Sequence, residues 1–365
     1  MHGRDSSRTL AGGTRINPAP RLVGLGTAFP PFRVSQGEAL RFLLKRFPVS
    51  PAARTLHARV FAHESVETRR LAVNRLAEVA DRDLDRTHRR FEKAAVDLSG
   101  RSLAAALRRG GRSPRQIDFL AAATCTGYLC PGLAPLTADR AGLRTDVRLA
   151  DLVGMGCGAA LPALRAAADF CRAHPGALAA VVCTEICSAA FFPGEAPDLV
   201  VSNALFGDGS AAALVSDRGS GPRFVDEESL TLPAARDDLR FVTDGGRLRN
   251  VLSPRVPVLA ARATRTVLNK ILRRQHVSPD AVSRWVLHAG GARVLDALEK
   301  SLGLAPDDLA ASRAILRRHG NLSSPSVLVA LAESLARRPA RPRERAFLAS
   351  FGAGFSAHGL LLEFS

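Results

Sequence analysis

Three residues in this sequence could together carry nucleophilic acyl chemistry: Cys157, His288 and Asn321. Cys157 lies in GMGCGAALP, between an apolar strand-like run and a helix-like one. A thiol at a helix N-terminus sits in the positive end of the helix dipole, which lowers its pKa and favours thiolate. Its small neighbours Gly156, Gly158 and Ala159 leave a substrate room to reach the sulfur. A buried structural cysteine is the other reading of the same pattern. His288, in WVLHAGG, is delivered by a strand to a Gly-Gly turn, where its side chain can point into a cleft; a strand-end histidine without a role fits equally. Asn321, in RRHGNLSSPS, follows Gly and so reads as a turn residue, or as a neutral amide donor to a developing oxyanion. Together the three are more informative. They occur in the order Cys–His–Asn, 131 and 33 residues apart, each at a strand end beside glycine. The histidine can hold the thiolate as an ion pair and donate to an oxyanion.

The elements that must position them alternate. Residues 21–29 read as a short buried strand, 35–48 as an amphipathic helix, and 51–95 as polar with helical spacing. Apolar runs at 117–125, 148–157 and 177–186 read as strands, and 158–172 as a helix. Residues 203–217 read as a turn and a strand, and 218–223 as a Gly/Ser/Pro linker. The second half repeats the scheme, with helices at 256–274, 292–303 and 326–338 and strands at 284–291, 345–354 and 359–365. Such alternation predicts an α/β fold of two similar halves. Residues 1–20 lack an apolar core segment and read as a disordered leader rather than a secretory signal. The halves are placed at 21–220, with the cysteine, and 221–365, with the histidine and asparagine.

These motifs resemble the type III polyketide synthases, the chalcone-synthase-like branch of the thiolase-like condensing enzymes, over roughly residues 20–365. The family's nucleophile matches Cys157 in DLVGMGCGAALPAL, its histidine His288 in WVLHAGGARVLDAL and its asparagine Asn321 in GNLSSPSVL. Its gatekeeper phenylalanine matches Phe206 in SNALFGDGSAAALV, and its cavity-floor glycine loop resembles FGAGFSAHG at 351–359. The resemblance implies a thiolase-like layered α-β-α-β-α sandwich and a cytoplasmic homodimer. It also implies iterative decarboxylative condensation of malonyl-CoA onto an acyl starter held on Cys157, followed by cyclisation. His288 and Asn321 would donate to the thioester oxygen, and Phe206 would exclude water from the decarboxylation. Coenzyme A thioesters are then substrates, and neither a metal nor a redox cofactor is expected. Asp208, in FGDG, reads as a structural residue that holds its turn.

Neighbouring classes differ at the same motifs. Carrier-protein ketosynthases place their histidine in a PHQAN-like motif, whereas here it lies in HAGG, and thiolases add a late cysteine, whereas none here follows Cys187. Cavity positions carry the product. Cys125 and Thr126, in TCTGYLCPG, match positions near the nucleophile, and Cys130 matches one that reaches across the dimer. Cys187 matches a position where a small side chain opens a tunnel for a long chain. Ordinary apolar packing is the alternative for these thiols. The second gatekeeper phenylalanine aligns with Asn250, and the glycine-loop proline is Ala353. The motifs look most like bacterial alkylpyrone and alkylresorcinol synthases, which take fatty acyl-CoA starters; synthases of naphthol or dihydroxyphenyl products from malonyl-CoA alone are the rival. Arg59 matches a CoA-contacting position, and Arg293 lies where the family's backbone touches the pantetheine arm.

Composition bounds the alternatives. With 365 residues and 46% hydrophobic content, the chain has material for a large core and is not a disordered or disulfide-stapled protein. It lacks an apolar run of about 18 residues, so a membrane span is not expected. The net charge of +17 favours an anionic partner. Only four of the 51 basic residues are lysine, which suggests a coding bias toward arginine. Aromatics are 5%, with single Tyr128 and Trp285, so the interleaved basic and aromatic surface of a nucleic-acid binder is missing. The six cysteines fall between Cys125 and Cys187 without C-x-x-C spacing, which argues against zinc and for reduced thiols.

Overall fold

A computed structural model of the chain describes residues 19–365; the expected leader lies almost wholly outside them. The first half contains β1 (Arg21–Ala28), β2 (Arg33–Ser35), α1 (Gln36–Arg46), α2 (Pro51–Phe61), β3 (Thr68–Arg70) and α3 (Leu84–Gly110). It continues with β4 (Ile117–Thr124), α4 (Leu133–Ala141), β5 (Arg148–Val153), α5 (Ala160–Ala173), β6 (Leu178–Glu185), α6 (Pro197–Leu205) and β7 (Gly209–Ser216). Then come β8 (Arg223–Thr231), the hairpin β9 (Leu239–Asp244) and β10 (Arg247–Leu252), and α7 (Val256–Gln275). The chain closes with β11 (Arg284–Leu287), α8 (Ala292–Leu302), α9 (Ala310–His319), α10 (Ser326–Arg337), β12 (Arg345–Gly352) and β13 (Ser356–Glu363).

The larger strands form two groups, ordered β1-β7-β6-β4-β5 and β11-β12-β13-β8. They join only where Arg21 of β1 pairs with Arg223 of β8. Helix α5 packs on β4, β6 and β7 of one group and on β12 and β13 of the other. Helix α10 likewise touches β1 and β7 as well as β11 and β12. These two helices are therefore the middle layer. Helix α3 covers the outer face of β1, β6 and β7, and α7 covers β8 and β13. The result is the five-layer α-β-α-β-α sandwich. Every residue of β6 (LAAVVCTE) and β7 (GSAAALVS) is buried, as expected of strands covered on both faces.

Sequence periodicity missed several elements, among them β2, α4 and β8. Residues 51–95 are not one helical stretch but α2, β3 and the start of α3, which runs on to Gly110. Residues 203–205 finish α6 rather than forming a turn. Helix α9 is rich in Arg, and the strands of the β9–β10 hairpin are half-exposed, so neither shows a clear apolar period. Among the described residues no helix is long and apolar enough to cross a membrane.

Candidate active site

Cys157 sits in a tight 3₁₀ turn, Gly156–Gly158, between β5 and the start of α5. Gly156 takes φ +57°, a left-handed conformation that lets the chain reverse there. The turn is seated on the β12–β13 loop. Any Cβ on Gly352 would lie 2.2 Å from the Met155 carbonyl oxygen and 2.4 Å from the Gly158 nitrogen, so only glycine permits this approach. Ser350 Oγ donates to the Gly158 carbonyl at 2.9 Å, tying the floor to the nucleophile's own turn.

The three sequence candidates are joined by a continuous chain of contacts. Cys157 Sγ and Ser323 Oγ are 3.3 Å apart. The Ser323 backbone N–H donates to Asn321 Oδ1 at 2.8 Å, which fixes the amide's orientation. Asn321 Nδ2 donates to the Gly290 carbonyl at 3.3 Å, leaving its second N–H available. The Gly290 N–H in turn donates to the His288 carbonyl at 2.8 Å. His288 is buried against the edge of Phe351, and both its ring nitrogens lack a hydrogen-bond partner. Buried nitrogens without partners are costly and rare. One is an acceptor and the other a donor, which suits them to take a proton from a thiol and to hold an oxyanion.

Burial pushes the Cys157 thiol up to about 12, because desolvation outweighs the Ser323 hydrogen bond. Burial also lowers His288 to about 3. Burial thus favours the uncharged form of each group, in opposition to the helix-dipole effect expected from the sequence. Cys157 lies three residues before the first helical residue, Ala160.

Phe206 follows the end of α6 in extended conformation and lines the cavity beside Cys157. Cys125, Thr126, Cys187, Asn250 and Ala353 line the same cavity. Asn250 Nδ2 donates to Ser202 Oγ at 3.2 Å. Asp208 is fully buried and ties together two segments outside its own turn, accepting from the Ala72 N–H at 2.6 Å and from the Ser188 hydroxyl at 2.6 Å. Cys130 is exposed, outside the cavity. Arg59 and Arg293 are exposed on α2 and α8 and do not contribute to the cavity wall.

The sequence reading missed Glu185, at the end of the apolar strand β6. Its buried carboxylate accepts from Cys125 N–H at 3.0 Å, Thr126 Oγ1 at 2.9 Å and Ser324 Oγ at 2.6 Å. Cys125 Sγ, at 3.3 Å, and Ser323 Oγ, at 3.4 Å, also reach it. Burial raises its pKa while these donors pull it down. A carboxylate closing an otherwise apolar strand was the available signal. Arg69 was missed too; it is buried in the cavity wall.

The cavity has one apolar side. Ala39, Phe42 and Leu43 present one face of α1, and Leu71, Leu76 and Val79 continue it. The space, open solvent included, is about 910 Å³.

Two sequence families match this chain. One, described as FAE1/Type III polyketide synthase-like protein, matches residues 75–224. The other, the C-terminal part of 3-oxoacyl-[acyl-carrier-protein] synthase III, matches residues 272–364. A 3,5-dihydroxyphenylacetyl-CoA synthase of Streptomyces toyocaensis is 32% identical, over 95% of this chain and 90% of its own length. An alpha-pyrone synthesis polyketide synthase-like protein of Mycobacterium tuberculosis is 29% identical, over 99% and 96%. The crystal structure of PKS-I from the brown alga Ectocarpus siliculosus superposes with a TM-score of 0.88 at 25% identity, covering 96% of this chain and 99% of that one. The chain belongs to the type III polyketide synthases, and its sandwich is the thiolase-like fold of that family. It is thus an acyltransferase-type enzyme of a family that uses CoA thioesters.

Proposed function

We propose that this synthase loads a fatty acyl starter from coenzyme A onto Cys157, extends it with malonyl-CoA, and cyclises the product to an alkylpyrone or alkylresorcinol. The observation that carries the starter class is that Cys157 lines the same cavity as the apolar side chains Ala39, Phe42 and Leu43 of α1. An alkyl chain laid there removes apolar surface from water at both partners. A starter bearing no alkyl chain gains nothing from it.

In this reading the Cys157 thiol passes its proton to the neutral His288 ring as sulfur attacks the starter thioester. The CoA sulfur leaves and takes up that proton. Malonyl-CoA then enters, its carboxylate–carbon bond breaks and carbon dioxide departs. The electron pair moves onto the thioester oxygen, where His288 and the free N–H of Asn321 donate. The enolate carbon attacks the acyl-cysteine carbonyl, and the Cys157 sulfur leaves and is reprotonated. Phe206 covers the reacting atoms from water. No step calls for a metal or a redox cofactor.

The enzyme also reads as a homodimer. Strand β5 is an unpaired sheet edge whose Leu149 and Val153 are 40% and 60% exposed, with Tyr128 on a nearby loop 73% exposed. Open apolar edges of this kind invite pairing. All six cysteines are unpaired, which fits a cytoplasmic enzyme.

The test is incubation with malonyl-CoA and a series of acyl-CoA starters of graded length, with products identified by mass. Starters of about eight carbons and longer should be consumed preferentially. Preference for short starters, or turnover of malonyl-CoA alone at a higher rate, would sink the fatty-acyl reading.

A further inference from the structure

One wall of the cavity holds a charge that the steps above leave unused. Arg69 follows β2's partner residue Thr68 on β3 and is 6% exposed. Its Nε donates to Gln36 Oε1 at 3.1 Å, and its Nη1 donates to the carbonyls of Asn203 at 2.7 Å and Phe206 at 3.0 Å. These bonds fix the guanidinium rigidly beside the gatekeeper. Its Nη2 has no hydrogen-bond acceptor among the described residues. Nor does any described carboxylate come within 4.0 Å of the guanidinium. Asp208 exerts the largest attraction on it, but that carboxylate's oxygens are committed to Ala72 and Ser188.

A buried cation without an ion partner is expensive. Burial lowers the Arg69 pKa only to about 10, so the group stays charged in neutral solution. The cavity that Arg69 lines also has polar side chains, Ser202, Asn203 and Asn250. A fixed guanidinium with free donors recognises a carboxylate. Of the CoA thioesters in the proposed reaction, only the extender carries a carboxylate at its acyl end. We infer that Arg69 is the docking residue for the malonyl carboxylate of the extender unit. This inference rests on the synthase reading above.

The chemistry sets the kinetic signature. The carboxylate becomes neutral carbon dioxide as its bond to the α-carbon breaks and the electron pair moves to the enolate. The attraction to Arg69 is therefore present in the bound substrate and fades in the transition state. Such an interaction lowers KM and does not raise kcat.

The experiment compares wild type, Arg69→Gln and Arg69→Lys by three readouts. The first is steady-state kinetics in malonyl-CoA. The second is mass-detected loading of a long-chain starter on Cys157. The third is calorimetric affinity for acetyl-CoA, which lacks the carboxylate, measured on a Cys157→Ala background. Arg69→Gln should raise the malonyl-CoA KM about tenfold or more, the scale of a lost charge-assisted hydrogen bond. Starter loading and acetyl-CoA affinity should change less than about threefold, and kcat should hold or rise rather than fall. Arg69→Lys, which keeps the charge, should fall between Gln and wild type and serves the test if the Gln protein does not fold. An unchanged malonyl-CoA KM overturns the inference. So does a loss shared equally by malonyl-CoA, acetyl-CoA and starter loading, which marks Arg69 as a purely structural support. If wild type itself loads no starter on Cys157, it is the synthase reading that fails instead.

Discussion

Phe206 and Asn321 form a parallel β-bridge across the two halves of the molecule. The Asn321 N–H donates to the Leu205 carbonyl at 2.9 Å, and the Gly207 N–H donates to the Asn321 carbonyl at 3.0 Å. The residue that would cover the reacting atoms and the amide that would hold the enolate are thus locked together through backbone. With its backbone fixed here and its Oδ1 held by Ser323, the Asn321 amide is preorganised and need not reorganise during reaction.

A substitution that keeps this shape but changes the charge isolates the amide's role. Asn321→Asp puts a carboxylate where the enolate develops. We expect kcat to fall by about 10²–10³, the usual cost of losing an oxyanion donor. Asn321→Ala, with no opposing charge, should fall less at pH 8. Equal losses in the two variants, or wild-type kcat in either, would contradict an electrostatic role.

Protonation gives an opposite-signed pair of pH effects. Burial lowers His288 to about 3, and His319 and His358 to about 4. Each is depressed below the ordinary value near 6.5, so the fold favours the neutral ring. Its contribution to stability is complete above about pH 6.5 and is lost as pH falls toward 4 and 3. The thermal midpoint should therefore drop between pH 7 and pH 4.5. The raised Cys157 pKa predicts slow alkylation by iodoacetamide at pH 7, with a rate rising about tenfold per unit toward pH 9. A plateau below pH 7 would show a preformed thiolate.

Much of the candidate site was legible because its residues stand in short, glycine-marked turns whose spacing survives in sequence. Cys157, His288, Asn321 and Phe206 are of this kind. Glu185 was not legible as a site residue, because its role depends on Cys125, Thr126 and Ser324, brought to it by packing. Arg69 was hidden for a different reason: among so many arginines, nothing in the sequence marks the one that is buried. Strands β6 and β7 could be read from continuous apolar runs, while α9 and the β9–β10 hairpin carry too little apolar surface for a period. The helix dipole that favours a Cys157 thiolate is visible in sequence, whereas the burial that opposes it is not.

The apolar side of the cavity can be shortened from α1. Ala39 is buried and lines the cavity with Leu43 one turn on. Ala39→Phe should shift preference toward shorter starters by about tenfold, since each methylene denied burial forfeits roughly 0.8 kcal/mol. Competition between an eight-carbon and a sixteen-carbon acyl-CoA measures it. An unaltered ratio would place the alkyl chain elsewhere.

The exposed edge of β5 makes its own prediction. Analytical ultracentrifugation should show a dimer for wild type. Val153→Arg, which adds a charge to the open edge, should weaken it at least about tenfold. A wild-type monomer at micromolar concentration would contradict the assignment of this edge.

The central claim is that Cys157 carries the growing acyl chain. Intact-protein and peptide mass spectrometry after brief exposure to a long-chain acyl-CoA, with malonyl-CoA left out, tests it most directly. The account predicts a single thioester adduct on Cys157 that hydroxylamine removes and Cys157→Ala abolishes. An adduct confined to Cys125 or Cys187, or one that persists in Cys157→Ala, would contradict it.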